Sequence, residues 1–248
     1  PLYSSAASDV YKRQVLYDLQ EKIRACYGNQ AACGKIEAML VDLLESDATA
    51  AAKDFACRQL AVIGTERSVP VLSKMLADPD TSDMARYAME KIPGDAVDDV
   101  LVKTAKASPN ETVLIGIIST LGNRKSQDVI SLAREQFSTA DNQSPAVQAA
   151  FLWALGAVGT EASAGELLKV MPDLTGQPLQ RCRDALLMCA DALLAANQKQ
   201  QASEIYQRLY QQGNPEIVRG AALRGLVQAG SKDVHALLPE IVQTGEPG

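Results

Sequence analysis

Three kinds of side chain in this sequence could carry chemistry: one histidine, five cysteines and 30 carboxylates. His235 stands early in a helical stretch with no second histidine and no paired-cysteine motif near it. A general base needs a positioned nucleophile and an orienting group, and a zinc site needs three or four closely spaced ligands. Alone, His235 reads as a surface residue, and no catalytic or metal-binding residue is expected. No Gly-rich run joins a strand to a helix, so no phosphate cradle and no cofactor is expected either. Asp98 and Asp99 begin a helix, where negative charge suits the dipole. The cysteines are Cys26, Cys33, Cys57, Cys182 and Cys189. An odd, scattered set fits free, buried thiols in a reducing compartment, which leans the expected location, otherwise open, towards the cytoplasm. Cys26 and Cys33 flank the short loop YGNQAA and would bridge in an exported protein, but a buried free thiol is the commoner case.

Composition narrows the class. The chain has 248 residues, 47% apolar and only 4% aromatic, a balance that favours close-packed helices over sheets. A formal charge of −6 repels polyanions, so nucleic-acid binding would need a strong local basic stripe. No apolar run approaches the eighteen residues of a membrane span. Ser4 to Gln14, SSAASDVYKRQ, resembles a translated sequencing-library adapter, so residues 1–14 are set aside as non-native. Without Lys12, Arg13 and Asp9 the remainder carries 22 basic and 29 acidic residues. The array is expected to be cut at both ends, since Thr244 to Gly248 does not read as a polar cap helix.

The elements that must position any site follow from periodicity. Leu16, Leu19 and Ile23 make a helical stripe ending near Gly28. Ile36, Met39, Leu40, Leu43 and Leu44 line a helix from Lys35 to Glu45, and Ser46 to Ala52 reads as a linker. Lys53 to Leu76 then gives a template of two helices, with a stop at Gly64 that suits the left-handed position closing a helix. The stop recurs at Pro93, Gly122, Gly159, Asn197 and Gly230. Four residues before it stand Leu60, Met89, Ile118, Leu155, Leu193 and Leu226. One residue before it come Ile63, Ile92, Leu121, Val158, Ala196 and Ala229, and eight before it Ala56, Ala85, Leu114, Phe151, Cys189 and Ala222. Eight residues after it are Leu72, Leu101, Ile130, Leu167, Ile205 and Leu238. Stops recur every 29 to 38 residues, the range of stacked repeats. Each pair is too short to be stable alone, so neighbours supply the burial.

The runs from Val147 to Gly159 and from Ile217 to Gly230 resemble HEAT repeats, in which Val and Arg precede an Ala-rich, Leu-bearing helix that ends in Gly. Only Arg219 fills the expected arginine position, and the unit from Asp184 to Gln212 leans towards a tetratricopeptide-like pair. The resemblance implies an all-α, right-handed α-solenoid of stacked antiparallel helix pairs over residues 15–248, a single array of about seven pairs. Trp153, among Phe151, Leu152 and Leu155, is expected to pack in the core.

HEAT-like arrays line a concave groove with their second helices. Ten residues after the stops that face carries Lys74, Lys103 and Lys169, and Tyr206 and Tyr210 add a contact patch. These five are the expected partner-binding residues, against a solvated helix face as the plain alternative. The function implied is a non-catalytic scaffold holding a protein partner, or another domain of the same chain, in its groove. The alternatives are the repeat region of a larger, possibly exported enzyme, or a HEAT-like enzyme such as a bilin lyase or a DNA glycosylase. The acidic balance opposes the glycosylase, and no motif supports the lyase.

Overall fold

Residues 17–26, 28–108, 110–138 and 144–231 are described by a computed structural model, and all their regular structure is helical. His235 and Leu238 lie outside these residues. The helices are α1 (17–26), α2 (Gln30–Glu45), α3 (Ala50–Ile63), α4 (Val69–Leu76), α5 (Ser82–Met89), α6 (Asp95–Ala107) and α7 (Glu111–Asn123). They continue as α8 (Asp128–Ser138), α9 (Pro145–Val158), α10 (Glu161–Val170), α11 (Gly176–Ala195), α12 (Lys199–Tyr210) and α13 (Glu216–Ala229). Side-chain caps fix several starts. Asn29 Oδ1 accepts from the Ala32 amide at 3.1 Å, and Thr49 Oγ1 from Ala52 at 3.3 Å. Thr160 and Ser163 form a reciprocal capping box that opens α10.

The helices gather into two compact units divided after Gly116. In the first, α3 and α5 lie side by side in one layer, while α2, α4 and α6 form the other. In the second, α9, α11 and α13 make one layer and α8, α10 and α12 the other. The periodic columns are the core of both layers. Leu60, Met89, Ile118, Leu155, Leu193 and Leu226 are all buried, as are Leu72, Leu101, Ile130, Leu167 and Ile205. Two column members differ: Leu114 is half-buried, and Ala196 is exposed because α11 has already ended.

Pro93 lies past the end of α5 at Met89, and the other five stops divide into three kinds. Gly159, Asn197 and Gly230 take the left-handed conformation, with φ of 67°, 61° and 69°. Gly64 does not. Its φ is −64° and ψ 146°, and glycine is needed there for space, since a Cβ would lie 2.4 Å from the Leu60 carbonyl oxygen. Gly122 stays inside α7, and the left-handed residue is Lys125, three positions later. A Cβ on Gly122 would meet Trp153 Cζ3 at 2.8 Å, so close helix packing accounts for the glycine there.

The N-terminal reading also shifts. α2 begins at Gln30 and α3 at Ala50, each earlier than the apolar stripe indicates, because Asn29 and Thr49 are the capping residues. Met39, expected inside, is exposed, and Glu37 is buried in its place.

Candidate functional site

In α9 Ser144 caps the start, Pro145 fixes the first turn, and Trp153 is exposed among the buried Phe151, Leu152 and Leu155. α9 packs on α11 through very small residues: a Cβ on Gly156 would lie 2.9 Å from the Ala185 Cα. N-terminal to that contact a furrow opens between the two helices. One part, about 160 Å³, is lined by Ala149, Trp153, Arg181, Asp184, Ala185 and Met188. It continues past Ala149 and Arg181 into a second part of about 210 Å³ bounded by Pro145, Gln148, Leu152, Gln177 and Pro178. Trp153 is 39% exposed and Met188 36%, so the expectation of a core tryptophan is corrected. Its column explains the exposure. Arg58, Tyr87, Asp191 and Arg224 occupy the same place six residues before the stop and are exposed, while Gly116, the remaining member, is buried against Arg86. In the first unit that column forms a different contact, Arg58 over the Tyr87 ring at 5.1 Å.

The furrow carries one cation and one anion. Asp184 Oδ1 accepts a hydrogen bond from Gln180 Nε2 at 2.9 Å, and Arg181 makes no ion pair among the described residues. Trp, Met and Arg are the residue types enriched at protein interfaces, and Trp and Arg dominate their energetics.

The residues expected from sequence are scattered. Lys74 lies on α4 and Lys103 on α6 in the first unit, while Lys169 lies on α10 in the second. Lys74 pairs with Glu45 at 3.2 Å, both exposed. Lys169 Nζ donates to Glu166 Oε1 at 2.8 Å, and Arg134 donates to the same oxygen at 2.5 Å. The Arg134 guanidinium holds the Glu166 carboxyl below the usual carboxylate range, against burial and with Lys169 adding to the effect. Tyr210 is half-buried beneath Arg219, 5.2 Å from its ring. Tyr206 is removed from any contact surface. It is wholly buried, its ring fills the space left by Gly225 on α13, and its hydroxyl donates to Asp191 at 2.5 Å. Burial, then Asp191, pushes the phenol up.

The cysteines separate into two groups. Cys26 and Cys33 form a disulfide, the less common of the two alternatives that their spacing left open. Cys57, Cys182 and Cys189 are free and buried. Burial raises the Cys57 thiol to about 12, with Asp54 adding to it, and raises Cys182 to about 12. Cys189 rises to about 11, again through burial, partly offset by Ser163. A thiol that stays protonated and covered does not attack a disulfide reagent. An Ellman titration at mildly alkaline pH should therefore find no thiol in the native oxidised protein, three in denaturant, and five after reduction. Prompt colour from the native protein would show that one of the three is reachable.

Glu37 is the polar residue that periodicity missed. Its carboxylate is 2% exposed and accepts from the Thr65 amide at 2.7 Å, from Thr65 Oγ1 at 2.8 Å and from Ser68 Oγ at 2.7 Å. It caps the turn that starts α4, a structural task. Among the described residues no cluster of three or more His, Cys, Asp and Glu side chains could hold a metal ion, and no helix is long and apolar enough to cross a membrane.

Stacked helix pairs with buried, recurring columns make the chain an all-α repeat solenoid, similar to HEAT repeats. The model of the family HEAT repeats matches residues 97–186. A solved structure described as that of an engineered protein is 20% identical over 79% of this chain and 96% of its own, with a TM-score of 0.44. No curated protein matches the sequence.

Proposed function

We propose that the protein is a non-catalytic repeat scaffold that holds an extended segment of a protein partner in the α9–α11 furrow. The observation that supports it is the pairing of an exposed tryptophan with an exposed methionine across an alanine-floored groove. The partner segment sets an apolar side chain between Trp153 and Met188 and a carboxylate on Arg181. The charge choice follows from Asp184, which already receives a hydrogen bond from Gln180, whereas Arg181 makes no ion pair among the described residues. Lys74 and Lys169 pair with Glu45 and Glu166, and none of Lys74, Lys103 and Lys169 lines the furrow. Tyr210 lies under Arg219 and is likewise outside it.

Trp153 is the chain's single tryptophan and reports directly on the furrow. A displayed library of random short peptides selected on the whole protein should enrich sequences that pair Asp or Glu with an aromatic or leucine. Those peptides should shift Trp153 emission and bind Arg181→Glu at least about tenfold more weakly, the loss of a central interface residue. Lys103→Glu should bind them unchanged. Peptides that bind Arg181→Glu and Met188→Ala as well as the parent, or leave the emission unmoved, would refute this site.

A further inference from the structure

We infer that Cys26–Cys33 is a redox clasp that keeps α1 on the first unit, in a chain built to work where disulfides persist. The observations are local. α1 is described over residues 17–26. Of these only Ile23 and Cys26 are buried; Leu19 is half-buried and the other seven are exposed. So small an apolar contact does not hold a helix by itself, and the disulfide supplies the rest. The helix beyond the clasp is secured independently. Asn29 caps α2, Leu40 and Leu44 are buried, and Glu37 ties α2 to Thr65 and Ser68. Removing the bridge therefore frees α1 and leaves α2 in place.

The two sulfurs differ in access. Cys26 is 3% exposed, whereas Cys33 is half-buried and lines an open cleft with Gly34, Lys35 and Arg67. A dithiol reductant attacks as its thiolate at Cys33 Sγ, forming a mixed disulfide while Cys26 leaves as a thiolate and takes up a proton. The reductant's second thiol then displaces Cys33, closing the reductant's own disulfide and completing a two-electron reduction.

Trypsin reads the outcome, because Lys22 and Arg24 are exposed on α1. With dithiothreitol as the reductant, cleavage after Lys22 and Arg24, followed by mass spectrometry, should accelerate roughly 50-fold, the loop-closure effect of so short a ring. Cys33→Ser should be cut at the fast rate without reductant and gain nothing from it. Cys57, Cys182 and Cys189 should stay unreactive throughout. Equal cleavage of oxidised and reduced protein would overturn the clasp. Exposure of the three buried thiols on reduction would overturn its local character, since the rest of the fold would then depend on the bridge.

Discussion

Leu155→Ala should destabilise the protein by about 4 kcal/mol, and Leu60→Ala by a similar amount, within the roughly 2–5 kcal/mol span of buried leucine truncations. Both side chains are wholly buried, Leu155 on α9 and Leu60 on α3. In a stacked array a helix pair contributes its own packing and the contact with its neighbours, so a column residue weakens both. The interior there is tight. Gly156 follows Leu155 where a Cβ would lie 2.9 Å from the Ala185 Cα of α11, and a Cβ on Gly64 would lie 2.9 Å from Ile92 Cδ1. Neighbours held that closely have little freedom to collapse into a new void, which puts the expected cost in the upper half of the range. Urea denaturation followed by Trp153 fluorescence reads Leu155→Ala from two residues away, and far-UV circular dichroism reads Leu60→Ala. Val62→Ala is the control, at 54% exposure on the same helix as Leu60, and should change stability by no more than about 0.5 kcal/mol. If Leu60→Ala costs no more than Val62→Ala, the column positions are not the core.

Periodicity reached the layers because apolar spacing is set by helix geometry, and every stack reuses it. It did not reach the polar and aromatic exceptions, and each has a physical reason. Trp153 looked internal because its sequence neighbours are, yet a residue two positions from Phe151 points about 200° around the helix. Its column-mates Arg58 and Arg224 carried that information in plain view. Tyr206 looked like a contact residue, but the slot that buries it is made by Gly225 on another helix, a tertiary fact. Cys26 and Cys33 were separable from free thiols only by the turn that brings α1 and α2 together. The furrow itself depends on where Gly156 lets two helices meet, which no single helix reveals.

Glu37→Ala should cost about 3 kcal/mol, the second large effect expected. Its carboxylate accepts three hydrogen bonds from Thr65 and Ser68, and Ser68 has no exposed surface. Hydrogen bonds to a charged acceptor contribute about 1.5–3 kcal/mol each, and an orphaned buried hydroxyl adds a further penalty of about 1–3 kcal/mol. Thr65 is exposed, so water replaces Glu37 at its amide and softens the sum. Glu37→Gln keeps one acceptor oxygen for Ser68 or the Thr65 amide, while its amide nitrogen can donate to Thr65 Oγ1. That variant should lose less than half as much as alanine. The pair separates two roles for this side chain, because a residue that merely fills space would rank the variants by volume alone. Glu37→Met supplies that test: it matches glutamate in size and accepts nothing useful, so it should fall with alanine rather than with glutamine. Urea midpoints for the three variants settle the order, and a methionine variant as stable as the glutamine one would mean that the start of α4 does not need this carboxylate.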